Sequence, residues 1–307
     1  MPTLVTGGTG FIGARVVRSL VASGDKVVCF DISPSVATLA DLSGEVKVLQ
    51  GDVTCIEDII GAIQRHGIDR IVHLAVQRER LHPAMRISAL GTNCVFEAAR
   101  LTGVKRVAFA SSVAYHGSQA SFGERPVTEE DHGFPTIVYG AIKWINEFMA
   151  NAYNAQYGME IIALRIALVY GWASRGGLNW ANDIVAMPAT GKPAVIPCRS
   201  SQRACLIHMD DVAEIFTRLV RNETLSHRVY HTGGYTCPLE EVAGLVKEFI
   251  PEAQISFDEQ AAELPFVYLI DNRRMLQELG VPLRDLREGI LHVMSAVRAR
   301  AGLAPAG

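Results

Sequence analysis

The sequence has no apolar run long enough to cross a bilayer, because Lys, Arg, Asp or Pro interrupts each one, so a helical membrane protein is not expected. It has no excess of either charge. Lys and Arg number 29 against 32 Asp and Glu, a formal net charge of -3, which leaves no basic footprint for nucleic acid or an anionic membrane. Its six cysteines (Cys29, Cys55, Cys94, Cys198, Cys205, Cys237) lack CxxC spacing and mostly lie in apolar runs. That argues against a zinc site and for buried free thiols rather than disulfides. No metal site is expected, and neither an internal repeat nor a low-complexity tract is present. Strand-like residues begin at position 3, which leaves no room for a signal peptide. The 307 residues suffice for one large domain or two closely joined ones. A soluble cytoplasmic enzyme is the expectation.

What is present is an alternation of strand and helix signals. Residues 3–6, 26–30, 46–49, 70–74, 106–110 and 160–165 read as short buried strands. Between them, 11–22, 56–65, 83–101 and 139–157 read as helices, the last stopped at Gly158. Apolar strands alternating with helices predict an α/β fold, a doubly wound parallel sheet of the Rossmann type. From Gly171 onward Gly and Pro crowd the chain, which predicts a smaller substrate-binding lobe. The expected division is 1–170 as the dinucleotide-binding domain, with 206–235 returning to it, and 171–205 plus 236–307 as the lobe. A strand at 229–232 and helices at 238–249 and 285–299 complete the reading.

Two local patterns carry chemistry. Gly7, Gly10 and Gly13 follow the first strand and open the first helix, the spacing of a dinucleotide-binding loop. Gly7 permits the tight turn, Gly10 lets a pyrophosphate approach, and Gly13 lets the helix pack close on the sheet. Phe11 and Ile12 stand where the helix N-terminus offers N–H donors. Asp31 ends the second strand, where a carboxylate accepts both ribose hydroxyls. With no Arg or Lys just after it, NAD is expected over NADP. The second pattern is Tyr139 and Lys143, four apart on one helix face, where an ammonium favours the phenolate.

The full chain resembles an extended short-chain dehydrogenase/reductase of the NAD-dependent epimerase/dehydratase family. The resemblance is carried by TGGTGFIG (6–13), GDV (51–53), VHLA (72–75), GTNCVFEAAR (91–100), VKRVAFASS (104–112), VYGAIK (138–143), LRIALVYG (164–171) and HMDDVA (208–213). It implies that Asp52 and Val53 flank the adenine and that Leu74 and Ala75 line the floor under the dinucleotide. It places the catalytic Ser/Thr on Ser112, at the carboxyl edge of the fifth strand, with Ser111 as bystander. Lys143 then also reaches the nicotinamide ribose. The chemistry implied is hydride transfer coupled to acid–base catalysis by a Ser112–Tyr139–Lys143 set. It also implies a homodimer through the helices at 83–101 and 139–157.

Four departures bear on the substrate. Leu168 takes the slot of an asparagine that helps bind sugar nucleotides, and Ala204 takes that of the diphosphate-binding arginine, with Arg203 displaced by one. A GDG turn is replaced by residues 197–201, and Ser88 stands where an asparagine is usual near the active site. Losing several diphosphate partners at once is costly. The favoured substrate is therefore a small sugar-like compound or hydroxy acid with a secondary alcohol or ketone. The alternative is a UDP-sugar 4-epimerase with tightly bound NAD, its charge restored by Arg199 or Arg203. Val113 and Ala114 replace the acidic residues that a dehydratase needs. Candidate substrate contacts are Gln77, Arg78, Ser112, His116, Arg175, Trp180 and Arg203. Their ordinary readings are loop surface for Gln77 and Arg78, lobe core for Trp180, and a structural position for His116. A dinucleotide sensor without turnover is the competing class, and the intact Ser–Tyr–Lys set argues against it.

Overall fold

The computed structural model describes residues 1–78, 80–172 and 179–304. Along the chain run β1 (Pro2–Thr6), α1 (Gly13–Ala22), β2 (Lys26–Asp31), β3 (Val46–Gln50), α2 (Ile56–His66) and β4 (Arg70–His73). Then come α3 (Leu81–Ala84), α4 (Gly91–Thr102), β5 (Arg106–Ser112), α5 (Val138–Tyr157) and β6 (Ile161–Ile166). The second half holds β7 (Leu168–Tyr170), α6 (Asn179–Ala189), β8 (Ala194–Ile196), β9 (Arg203–His208), α7 (Met209–Arg221) and β10 (Val229–His231). It closes with β11 (Tyr235–Pro238), α8 (Leu239–Phe249), β12 (Ile255–Phe257), α9 (Arg273–Leu279) and α10 (Leu286–Arg300).

Seven strands form one parallel sheet in the order β10-β6-β5-β4-β1-β2-β3, the doubly wound fold. Its inner strands are largely apolar because helices cover both faces, while the edge strand β3 has only half-buried and exposed residues. The strand order reverses between β1 and β4, so the crevice at their carboxyl ends is where such a sheet holds ligands. Residues 229–231 return to the sheet beside β6, as the sequence indicates. A three-stranded sheet, β11-β9-β7, and a small pair, β12-β8, belong to the second half. They help enclose a separate apolar core built from residues of β7, α6, β8, β9, α8 and α10. Within the expected 236–307 segment, Val267, Met275, Leu279 and Val281 pack with the main core.

The long helix expected at 83–101 is helical from 81 to 102, with a π-turn inside it. Residues 81–84 are helical, Met85–Leu90 form a π-helical turn, and α4 follows. Such a turn inserts one extra residue per turn and often marks functional sites. Here it places Ser88 fully inside the protein. At the other end of the expectation, Gly158 ends α5 in the left-handed region at φ 64°, its N–H bonded to the Asn154 carbonyl at 3.1 Å.

Candidate active site

The glycine loop leaves β1 at Thr6 and bends back under its own first helix. Gly7 has φ 65°, and a Cβ there would stand 2.9 Å from the Ala75 nitrogen. A Cβ on Gly13 would stand 2.1 Å from the Gly7 carbonyl oxygen. Gly13 therefore seats the helix on the loop itself rather than on the sheet. The N–H groups of Phe11 and Ile12 have no protein acceptor among the described residues, which leaves them to an anion at the helix N-terminus. Asp31, at the tip of β2, accepts from the Thr9 hydroxyl at 2.7 Å and from the Thr9 N–H at 3.2 Å. Asp52 accepts from Thr54 and from Arg86, the latter at 3.1 Å, and Val53 is buried beside it. A cradle too tight for a side chain, free N–H groups and a held carboxylate in one crevice fit a dinucleotide.

The floor of that crevice is tied down by a directional chain. The N–H groups of Leu74 and Ala75 donate to the Thr6 hydroxyl at 3.2 and 3.3 Å. Thr6 meets His73 Nδ1 at 2.7 Å, and His73 Nε2 meets Thr92 at 3.0 Å. Thr92 gives its proton to the Ser88 carbonyl at 2.8 Å, so it must receive one from His73. His73 is thus a neutral Nε2–H tautomer, accepting from Thr6. Burial first, and the Lys143 charge second, push its pKa down to about 3. Asn146 Nδ2 also donates to the Ser88 carbonyl, at 2.8 Å, and the Ser88 hydroxyl holds the backbone of Gln77. Ser88 thus braces the loop after β4.

Tyr139 lies in the first turn of α5 and is half-buried; Lys143, one turn on, is buried. The Lys143 ammonium stands 5.4 Å from the Tyr139 ring centroid and donates to the Ala110 carbonyl of β5 at 2.6 Å. That bond leaves two of its three protons for other acceptors. Ser112 ends β5 half-buried, accepting from the Ala114 N–H at 3.2 Å. Ser111 is fully buried and donates to Glu147 Oε1 at 2.5 Å. Alternation along the strand separates them: Ser112 is accessible and Ser111 is structural. Glu147, one turn past Lys143, forms a buried pair with Arg165 at 2.8 Å. The i+4 spacing Tyr139–Lys143–Glu147 was open to sequence reading; its Arg165 partner was not.

The substrate candidates divide. Gln77 is half-buried beside the floor, its side-chain carbonyl accepting from the Arg78 N–H at 2.8 Å, and Arg78 is exposed. His116 is not a cleft residue. It has no exposure, and its ring contacts His231 at 2.9 Å and Arg165 at 3.1 Å, with burial holding its pKa down at about 2. Trp180 is half-buried and packs against the core of the second half. Arg203 is engaged by Glu124 at 2.8 Å and lies 4.6 Å over the Tyr268 ring. Arg175 falls outside the described residues. Leu168 and Ala204 lie on one face of the β9–β7 ladder, both buried in that second core. Near them His208, Asp210 and His292 converge with metal-ligand spacing. Arg284 already bonds all three, at 3.0, 3.3 and 3.5 Å, so a guanidinium fills the cation's place.

Four histidines are held neutral by burial: His73 and His231 near pKa 3, His116 near 2 and His208 near 4. Each binds a proton in the unfolded chain below about pH 6.5 but not in the folded one, so stability is full above that pH and falls as pH drops toward 4, by about 1.4 kcal/mol per unit per group. The thermal midpoint should be flat between roughly pH 8 and 7 and fall clearly by about pH 5. An equal midpoint at the two extremes would contradict these assignments.

The model of the NAD dependent epimerase/dehydratase family matches residues 3–233. The chain belongs to that family. A UDP-glucose 4-epimerase of Lacticaseibacillus casei is 28% identical over 185 residues, 58% of this chain, which spans only 55% of that relative. A partial consensus L-threonine 3-dehydrogenase superimposes with TM-score 0.88 at 22% identity, covering 97% of this chain and 100% of the other. MoeE5 in complex with UDP-glucuronic acid and NAD superimposes with TM-score 0.83 at 26% identity, over 98% and 100%. The protein is an NAD-dependent enzyme of the extended short-chain dehydrogenase type. No helix among the described residues is long and apolar enough to cross a membrane.

Proposed function

We propose that this enzyme transfers hydride to or from a secondary alcohol or ketone of a small sugar-like or hydroxy-acid substrate. When bound, NAD supplies the hydride acceptor or donor. Tyr139 takes the hydroxyl proton during oxidation and returns it during reduction. Ser112 holds the reacting oxygen, and Lys143 places its ammonium beside the Tyr139 ring. Gly7, Gly10, Phe11, Ile12, Gly13, Asp31, Asp52, Val53, Leu74 and Ala75 hold the cofactor.

The observation that favours a small substrate is the closed face carrying Leu168 and Ala204. Where a sugar nucleotide would need an amide and a guanidinium, both side chains are buried in apolar core. A panel of hydroxy acids, polyols and UDP-sugars assayed for net NADH formation tests this reading. Turnover of a UDP-sugar without net NADH would refute it in favour of the epimerase. One observation supports that second reading: Arg199, in the turn before β9, has a buried Nε with no partner among the described residues. An unpaired guanidinium edge is costly unless something binds it.

The setting proposed is cytoplasmic, in keeping with six free cysteines. We further propose a homodimer through α4 and α5, which Phe96 and Tyr153 join edge to face at 6.0 Å. Leu101 (54% exposed) and Phe148 (66%) lie on these helices, Leu90 (52%) ends the π-turn just before α4, and Phe148 stacks on Trp144. Such a face needs covering. Phe148→Glu is expected to halve the mass seen by light scattering, and a wild-type mass of one chain would refute the dimer.

A further inference from the structure

Asp31 ends β2 where a ribose diol is read, and its carboxylate is oriented before any ligand arrives. Thr9, in the middle of the glycine loop, donates twice to Oδ2, through its hydroxyl at 2.7 Å and its N–H at 3.2 Å. Oδ1 accepts from the Ser33 N–H at 3.2 Å. A carboxylate has roughly four acceptor positions, so three donors fix its plane. Thr9 is 2% exposed, whereas Asp31 is half-buried, so the clamp lies beneath the accessible edge of the group.

We propose that Thr9 is a specificity-determining residue: its hydroxyl holds Asp31 so that the site takes the ribose diol of NAD and rejects the 2′-phosphate of NADP. The proposal rests on Asp31 being the ribose contact. Two effects add. A carboxylate already held need not be ordered when the diol binds, which favours NAD. A held carboxylate also cannot swing away from an incoming phosphate, so the repulsion between the two anions is met in full.

The neighbouring cations do not offset that repulsion. Arg18 on α1 is bound by Asp41 at 2.6 and 2.8 Å, by the Thr38 carbonyl at 2.7 Å and by the Ala14 carbonyl at 3.0 Å. Arg15 is engaged by Asp210 at 3.5 Å and by the Trp172 carbonyl at 3.3 Å. Thr9 therefore links the phosphate loop to the strand tip that reads the ribose. A sequence search for glycine spacing passes over it, because Thr9 stands between Gly8 and Gly10, outside the positions that such spacing fixes.

The test uses the full-length protein freed of bound dinucleotide, with NADH and NADPH as probes. Binding is read by reduced-nicotinamide fluorescence and folding by thermal melting. Thr9→Val keeps the shape and the N–H but removes the hydroxyl. It should weaken NADH about five- to tenfold and leave NADPH within about twofold, so the preference falls by a similar factor. Thr9→Ser restores the hydroxyl and should restore the preference. If Thr9→Val does not fold, Thr9→Ala serves in its place.

An unchanged preference in the hydroxyl-deleted variant overturns the proposal, as does a Thr9→Ser as impaired as Thr9→Val. Asp31→Ala separates the two levels of the argument. If it leaves the preference intact, the ribose reading itself fails. If it abolishes the preference while Thr9→Val does not, only the Thr9 assignment falls.

Discussion

Tyr139→Phe is expected to lower turnover by about 10²- to 10⁴-fold, the usual worth of a positioned acid–base group. The substitution removes one oxygen from a half-buried ring and leaves the packing of α5 intact. Lys143 keeps its bond to Ala110, so the cofactor side of the site is undisturbed. NADH affinity should accordingly stay within about twofold, since no cradle contact is lost. The measurement is single-turnover NADH formation beside a fluorescence titration, using whichever substrate the panel identifies. A Tyr139→Phe enzyme that keeps most of its turnover would refute the acid–base assignment. Loss of NADH binding together with turnover would show that the ring holds the cofactor instead.

The second large effect lies one layer below. Glu147 and Arg165 are 4% and 3% exposed and bonded through both carboxylate oxygens. The pair joins α5 to β6, with Ser111 of β5 on the same carboxylate. Arg165 also reaches His116 and the Glu129 carbonyl, and lies 3.7 Å over the Tyr115 ring. Removing the acid strands a buried guanidinium, so Glu147→Leu should cost about 3–5 kcal/mol and lower the melting temperature by roughly 5–15 °C. Removing both charges together, as Glu147→Leu with Arg165→Met, should be milder than Glu147→Leu alone. A double variant at least as unstable as the single one would show that packing, rather than the unpaired charge, sets the cost.

The clamp, the buried pair and the histidine chain share a design. Each fixes an accessible group through a partner that is itself buried. Thr9 holds Asp31, Glu147 with Arg165 holds the helix carrying Tyr139 and Lys143, and His73 holds the floor at Leu74 and Ala75. Thr9, His73 and Arg165 lie inside the quoted sequence motifs, but spacing alone does not show which groups they bond.

The sequence by itself determined the doubly wound sheet, the glycine cradle and the alignment of Tyr139 with Lys143. These depend on short-range periodicity: apolar runs of strand length, glycines three apart, and side chains one helical turn apart. Only the tertiary structure decided which polar groups meet. It buried His116 against His231, 115 residues away, brought Thr9 to Asp31 across 22 residues, and paired Glu147 with Arg165 across 18. It also turned Leu168 and Ala204 into the second core and set a π-turn inside the 83–101 helix. The physical reason is that local steric preference is written in neighbouring residues, whereas burial of a polar group is stable only when a distant strand or helix delivers its partner.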